Sequence, residues 1–567
     1  MATTYAPSPT AEFTEDDAPT RRWLRPALVA LPALVILVAG YQRRWMSDDA
    51  LIYVRTVRQI LAGNGPVFNP GERAEASTGT LWQWLLAAAG STGLDLTSAA
   101  VYGGLLLTAA GFALAALGCL ALYGSHGSPS VLPLGAPLLL ALPPVWDFAT
   151  SGLETGLATC WLAGGWLLLV TRPASVWTAV ALGLGPLVRP DLGLVSAVFL
   201  GAQWLLVRPS KKRAAAGLGA ALALPLAYEI FRAGYYGHLV PLPAVTKEAS
   251  QSLWARGFAY VGDFAGPYLL WVPVLFVLAA AVPLHARTRA RVRTRTQVPL
   301  VPVLAPVVAG ALCWAYVIKV GGDFMHARML LPGLFLMLLP VFLAPASRAT
   351  ALASVGVAVW AALCAGALRI DYEGRVGPGG IADERGVYVA QNADPHPLHH
   401  TFAGAPWHAR YGEAARTAVP PALLLGRSSP LPGGSPSVTG VYPVLGHNGT
   451  SVPLDGAALD PIGLAYPLAA HSERVSGGRV GHDKRLPDAW IIADRGAAEL
   501  PRGTDPLAVA SARRALRCGA LAELREATHA PLTVGRFVAN LTGSVERTTF
   551  RFPTDPAVAE RELCGGR

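Results

Sequence analysis

The sequence predicts a polytopic α-helical membrane protein of about eleven crossings, followed by a C-terminal extracytoplasmic α/β domain. Three observations carry this. Of the 567 residues, 52% are hydrophobic and only 14% are charged, against about 25% charged in a soluble globular protein. Apolar stretches recur from residue 26 to residue 368 and then stop. The densest basic runs fall at breaks that share one side of the membrane, as the positive-inside rule requires. The net charge of +10 is thereby accounted for by topology signals, and no nucleic-acid partner is expected.

Residues 1–22 read as a disordered cytoplasmic tail, polar, acidic and rich in Pro and Thr. Arg21, Arg22 and Arg25 precede the first apolar span, Pro26 to Gly40, and Arg43 and Arg44 follow it. No small-residue cleavage site follows, which predicts an uncleaved anchor. Ser47-Asp48-Asp49 comes next. Ser47 reads as an N-cap, and the positive end of the helix dipole favours both ionised acids in the first turn. Leu51, Val54, Val57, Ile60 and Leu61 recur at helical spacing with Arg55, Arg58 and Gln59 between them, up to Gly63. That pattern predicts a helix lying on the membrane surface. Asn69-Pro70-Gly71-Glu72 reads as a type II turn. The stretch around Trp82 and Trp84 is too short for a crossing and predicts a second surface helix. Residues 41–97 thus form a first outer loop.

Further crossings are predicted at 98–122, 130–146, 155–171, 174–188, 191–207, 214–232, 263–284, 298–319, 328–346 and 349–368, completing a membrane domain over 23–368. With the N-terminus inside, Arg172, the Arg208–Arg213 run, His285 to Arg295, and Arg348 all fall on the cytoplasmic side. The opposite side receives Ser47-Asp48-Asp49, Asp147 to Glu154, Arg189-Pro190-Asp191, Tyr235 to Lys247, Gly321 to Arg328 and everything after Arg369. These segments mix acids, His, Tyr and single Arg residues, the composition of a site rather than an anchor.

Residues 369–567 are rich in Gly, Pro, Asp, His and Arg and are long enough for a core of their own. Ala489–Ala493 and Leu532–Val534 read as strands, and Pro506–Thr528 as a helical run. Cys518 and Cys564 can pair if this tail is outside the cytoplasm. Cys119, Cys160, Cys313 and Cys364 lie in apolar spans and read as packing residues.

Outside the cytoplasm there is neither ATP nor nucleotide sugar, and the outer loops hold no Walker, GxGxxG, CxxC or HExxH pattern. An enzyme there needs an activated substrate delivered in the membrane, such as a polyprenyl-phosphate sugar. Its chemistry needs a carboxylate to take a proton from an acceptor hydroxyl, for which Asp48 and Asp49 are candidates. It also needs cations for the departing phosphate, for which Arg55, Arg58, Arg189, Lys247, His326 and Arg328 are candidates. Glu154, Asp191, Tyr236, His238, Asp323 and His482 are candidates for substrate contact. Each has a plainer reading: Arg189 and Asp191 can pair with each other, Glu154 can be a helix N-terminal acid, and Tyr235, Tyr236 and His238 can be an interfacial aromatic cluster. Two adjacent acids are not a ligand set, so neither metal nor cofactor is expected. A polyprenyl-glycan transporter is the competing class, but the polar motifs lie on one face and no internal repeat is visible.

Several motifs together resemble the AftB family, the terminal β-(1→2)-arabinofuranosyltransferases of actinobacteria. They are Asp48-Asp49-Ala50-Leu51-Ile52, the run from Arg55 to Asn69, Gly71-Glu72-Arg73, Ser151-Gly152-Leu153-Glu154-Thr155, Val188-Arg189-Pro190-Asp191, Gly321 to Arg328, Gly463-Leu464-Ala465 and Gly481-His482-Asp483-Lys484. The resemblance spans nearly the whole chain. It implies a GT-C glycosyltransferase fold in the plasma membrane, a catalytic acid pair at Asp48 and Asp49, and an extracytoplasmic active site. It implies a decaprenyl-phospho-arabinofuranose donor held in membrane lipid. The implied acceptor is the non-reducing end of an arabinan in arabinogalactan or lipoarabinomannan, and the alternative is another polyprenyl-phosphate sugar. The implied donor and product are both β-linked. A single base driving in-line attack would invert, so either the two acids divide the roles of nucleophile and base or the course is front-face.

Overall fold

The computed structural model describes residues 19–124, 130–248, 251–290, 300–398, 405–475, 478–479 and 481–565. The expected tail through residue 18 and the basic run 291–299 lie outside the described residues. Six described helices are long and apolar enough to cross a membrane: Trp23–Gln42, Leu96–Gly124, Pro190–Val207, Lys211–Tyr236, Leu300–Lys319 and Arg348–Gly366. In hydrocarbon a helix satisfies its backbone N–H and C=O groups within its own segment, and each of these helices has an 18-residue apolar window with at most 2 charged residues. The first belongs to α1 (Pro19–Gln42), so helix begins inside the expected tail. Shorter apolar helices, Thr155–Thr171, Val176–Val188, Trp271–Ala281 and Arg328–Val341, occupy four more of the expected crossings.

The expected crossing at 130–146 is not one helix. Val131–Pro133 pairs antiparallel with Leu343–Pro345, and two short helices follow, Gly135–Leu140 and Pro143–Phe148. Pro133, Pro137, Pro143 and Pro144 each remove a backbone donor and break the run. The Leu343–Pro345 strand also ends the expected 328–346 crossing early.

The membrane region is held by close helix contact. The helix Leu96–Gly124 runs against Thr155–Thr171, and a Cβ at Gly156 would lie 2.1 Å from the Gly104 carbonyl oxygen. Only glycine lets the two backbones approach this far, the usual device where water supplies no hydrophobic drive between helices.

After α1, the chain forms α2 (Asp48–Leu61) and α3 (Thr80–Ser91). Ser47 caps α2 as expected, its Oγ accepting the Ala50 N–H at 3.2 Å. The turn at 69–72 also forms, with Gly71 at φ +76°. The surface placement of α2 is wrong, however. Asp48, every residue from Ala50 to Val57, and Gln59 are buried. α2 lies between α3 on one side and the helix Leu445–Ser451 of the C-terminal region on the other. Arg55, which suggested a polar face, points into protein rather than water.

The C-terminal region holds a four-stranded sheet in the order Leu431–Pro432, Ala422–Leu425, Val438–Val441, Ala457–Leu459, antiparallel at the first pair and parallel at the others. Two strand readings fail there. Ala489–Ala493 lies within the helix Asp488–Arg495, whose terminal charges suit its dipole. Thr533 is the N-cap of the helix Val534–Thr549. The expected run Pro506–Thr528 is two helices, Pro506–Ala515 and Gly519–His529. Cys518 and Cys564 are disulfide-bonded, tying the start of the second to the end of the helix Pro556–Cys564.

Candidate active site

One large cavity, about 1240 Å³ including its open mouth, lies where α2, the loops after the apolar helices and the C-terminal region meet. It brings together Asp49, Glu154, Arg189, Asp191, Lys247, Asp323 and Arg328 from the expected set. These residues are distant in sequence and come from five separate segments, so their convergence is a property of the fold.

Most of the charges are already paired. Arg189 makes a bidentate contact with Asp191 at 2.9 and 3.1 Å and lies 3.8 Å from Glu154. Glu154 also accepts the Tyr53 hydroxyl at 2.9 Å. Arg328 donates to Asp323 at 2.7 Å and reaches Asp49 at 3.5 Å. Asp323 is held below the ordinary carboxylate range because Arg328 and Lys247 outweigh the effect of its burial. Lys247 differs. Its ammonium sits 5.4 Å from the Phe324 ring centre and forms no ion pair within 4.0 Å among the described residues. Arg256, which sequence reasoning missed, also lines the cavity; it donates to the Gly478 carbonyl at 3.4 Å.

Asp48 and Asp49 point to different places. Asp49 lines the cavity with its side chain 22% exposed. Enclosure raises its pKa, Lys247 and Arg328 oppose that, and Asp48 and Asp323 add to it. Asp48 does not line the cavity. Its carboxylate accepts the N–H groups of Gly446 and His447 at 3.0 and 2.8 Å and contacts His447 Nδ1. A Cβ at Gly446 would lie 2.0 Å from the Asp48 carbonyl oxygen, so the C-terminal region seats directly on the start of α2.

Other expected residues also lie elsewhere. Arg55 is 1% exposed and donates to five carbonyls, those of Phe68, Gly449, Val452, Pro453 and Gly456. Burial pushes its guanidinium down to about 9. Arg58 is on the exposed face of α2. Tyr236 donates to the Pro66 carbonyl. His238 pairs ring to ring with His471, Nε2 to Nε2 at 3.0 Å, and burial lowers it to about 4. His482 packs edge-on to Phe324, while its neighbours Gly481 and Asp483 line the cavity. Ala327, at φ +63°, turns the chain so that Arg328 enters the large cavity. His326 lines a smaller one of about 440 Å³ including its open mouth, and its Nδ1 lies 2.6 Å from Asp263.

Sequence reasoning also missed Glu384, the first residue of the helix Glu384–Asn392. It is 8% exposed and lines the smaller cavity. Its Oε2 has no hydrogen-bond partner among the described residues. Burial raises it well above the ordinary carboxylate range, and Asp49 beside it raises it further. The available signal was Asp383, whose carboxylate caps this helix by accepting the Gly386 N–H. A group raised this way holds its proton in the folded state, and stability falls as pH rises from its unfolded value towards its folded one. Glu384→Gln is therefore expected to raise the melting temperature of the solubilised protein more at pH 8 than at pH 5. An equal effect at both would show that Glu384 is ionised in the fold.

Among the described residues, no group of three or more His, Cys, Asp or Glu is placed to hold a metal. The cavity offers one half-buried carboxylate, two cations without acidic partners among the described residues, and a rim of paired charges that can hydrogen-bond a sugar.

Residues 434–562 match the AftB family C-terminal domain. The chain is similar to the terminal β-(1→2)-arabinofuranosyltransferase of Mycobacterium tuberculosis, 37% identical with 93% of this chain and 95% of the relative aligned. It is similar also to that of Corynebacterium glutamicum, 35% identical over 95% and 88%. No solved structure matches it. With identity at this level over nearly the full length of both relatives, the chain belongs to the AftB family of terminal β-(1→2)-arabinofuranosyltransferases.

Proposed function

We propose that the protein transfers arabinofuranose from decaprenyl-phospho-arabinofuranose to the non-reducing end of cell-wall arabinan, forming a terminal β-(1→2) linkage. The observation that carries this reading is the pairing pattern of the cavity. Lys247 and Arg256 line it together with Asp49, and neither has an acidic partner within 4.0 Å among the described residues. A phosphate there would gain two charge-assisted contacts without breaking an existing ion pair. Asp49 takes the proton from the acceptor 2-hydroxyl as its oxygen bonds to the anomeric carbon. The bond from that carbon to the phosphate oxygen breaks, and the phosphate leaves with its charge held by Lys247 and Arg256. Asp49 lines the cavity and Asp48 does not, which favours a front-face course over one that divides nucleophile and base between them.

The architecture in this reading is a GT-C arrangement of about eleven passes. The six long helices, the four shorter ones and the broken 131–148 segment would make it up. The domain from 369 to 567 would lie outside the cytoplasm, with the active site between it and the plasma membrane. The Cys518–Cys564 bond supports that side, because disulfides persist where the surroundings oxidise.

Lys247→Gln tests the phosphate assignment. It is expected to raise the donor KM about tenfold or more, the worth of a hydrogen bond to a charged group. Removing this cation also raises the Asp49 pKa, so the acid limb of the pH–rate profile moves to higher pH. Initial rates in proteoliposomes, against donor concentration and pH, read both. An unchanged KM would remove Lys247 from the donor site.

A further inference from the structure

The helix Val534–Thr549 in the C-terminal region has its polarity reversed for a helix facing water. Val534, Val538, Leu541 and Val545 recur at helical spacing on its exposed side, at 84%, 51%, 36% and 62% exposure. Its arginines turn inward instead, and its one acid, Glu546, is exposed near the Thr549 end. Arg536 donates to Glu523 at 2.5 Å, and Arg547 donates to Glu523 at 2.8 Å and to the Gly237 carbonyl at 3.0 Å. In water the charges would face out and the valines in. A contiguous exposed apolar stripe marks a surface that something apolar covers.

The neighbour of this helix identifies the cover. It packs along the end of Lys211–Tyr236, one of the helices suited to crossing a membrane. Phe537 fills the space beside Gly234, where an added Cβ would lie 2.1 Å from its ring. Asn540 donates to the Gly234 carbonyl at 3.0 Å, and Thr548 accepts the Leu239 N–H at 2.9 Å. The register places the Val534 end beside the last turns of the spanning helix and the Thr549 end beyond it. The spanning helix itself exposes Leu222, Leu226 and Ile230 on its outer side. The half-buried rings of Phe231 and Tyr235 stack where it ends, the position of an aromatic belt at a membrane boundary. The valine stripe therefore continues a lipid-facing surface at the depth where that surface ends.

We infer that the helix Val534–Thr549 seats in the outer boundary of the bilayer, its valine stripe against lipid acyl chains, and anchors the C-terminal region to the membrane independently of the helices that cross it. Burial of such a face by some 5–10 Å into the boundary is the behaviour of amphipathic surface helices. The anchor fixes the height of the C-terminal region, and with it Arg474, Gly481 and Asp483, which line the candidate cavity.

The test is nitroxide labelling of Val538→Cys in full-length protein in lipid nanodiscs. Leu507→Cys, 78% exposed on another helix of the same region, serves as the aqueous control, and the equally treated parent protein gives the background. The expected result is a several-fold higher ratio of oxygen to nickel-chelate accessibility at 538 than at 507. Equal, water-like ratios would overturn the inference. Dipolar broadening between labels at 538 would also overturn it, because a second copy of the chain would then cover the stripe.

Discussion

Asp49→Asn is expected to lower arabinose transfer by about 10²–10⁴-fold, the usual worth of a positioned general base, without lowering the melting temperature. Asparagine keeps the size of the side chain and its capacity to accept from Arg328, 3.5 Å away, but cannot take a proton at neutral pH. Asp48→Asn is expected to behave differently. The Asp48 carboxylate is occupied by two backbone N–H groups and His447 of the C-terminal region. Its loss therefore falls chiefly on thermal stability, and on activity only as far as the region shifts. Purified variants assayed for transfer from the polyprenyl-phosphate donor, with melting curves in parallel, separate the two. Full activity in Asp49→Asn would remove it from the chemistry. Equal losses of activity in both variants at unchanged melting temperature would restore the acid pair as one unit.

The second large effect is structural. Arg55→Met is expected to destabilise the protein by roughly 3–5 kcal/mol, the range for uncovering buried partners of a charged group. Arg55 bridges α2 to the segment from Gly449 to Gly456, and methionine would fill the space while taking the guanidinium from all five carbonyls, of which only those of Phe68 and Pro453 have a second donor among the described residues, Gln59 Nε2 and the Gly456 N–H. Arg55→Lys should recover little, since an ammonium is a single point and cannot span them. Melting of the full-length protein, with limited proteolysis to show whether the C-terminal region becomes cleavable first, reads the result. An unshifted melting temperature would mean that water replaces the guanidinium at no cost.

These two variants show where reading the sequence succeeded and where it stopped. The Ser47 cap, the turn at Gly71 and the long apolar helices rest on local rules, and the structure keeps them; the link between Cys518 and Cys564, which also forms, rests on the side of the membrane expected for the tail. Arg55 was misread because a polar residue on an amphipathic helix suggests solvent, and nothing nearby in the chain announces five carbonyls contributed mainly by residues 449–456. His326 and Arg328 were grouped because they are two residues apart, yet the left-handed backbone at Ala327 sends them into different cavities. Glu384 and Arg256 escaped notice because neither lies in a conspicuous motif.

By itself, the sequence determined the membrane class, the membership of a glycosyltransferase family and the segments that hold the charged residues. Each follows from composition, hydrophobic length or a run of neighbouring residues. Only the tertiary structure decided which charges remain unpaired in the cavity, which of two adjacent acids faces it and what covers α2. Those are matters of which side chains meet across hundreds of residues, and in a buried site a partner's presence or absence sets the charge state of every group around it.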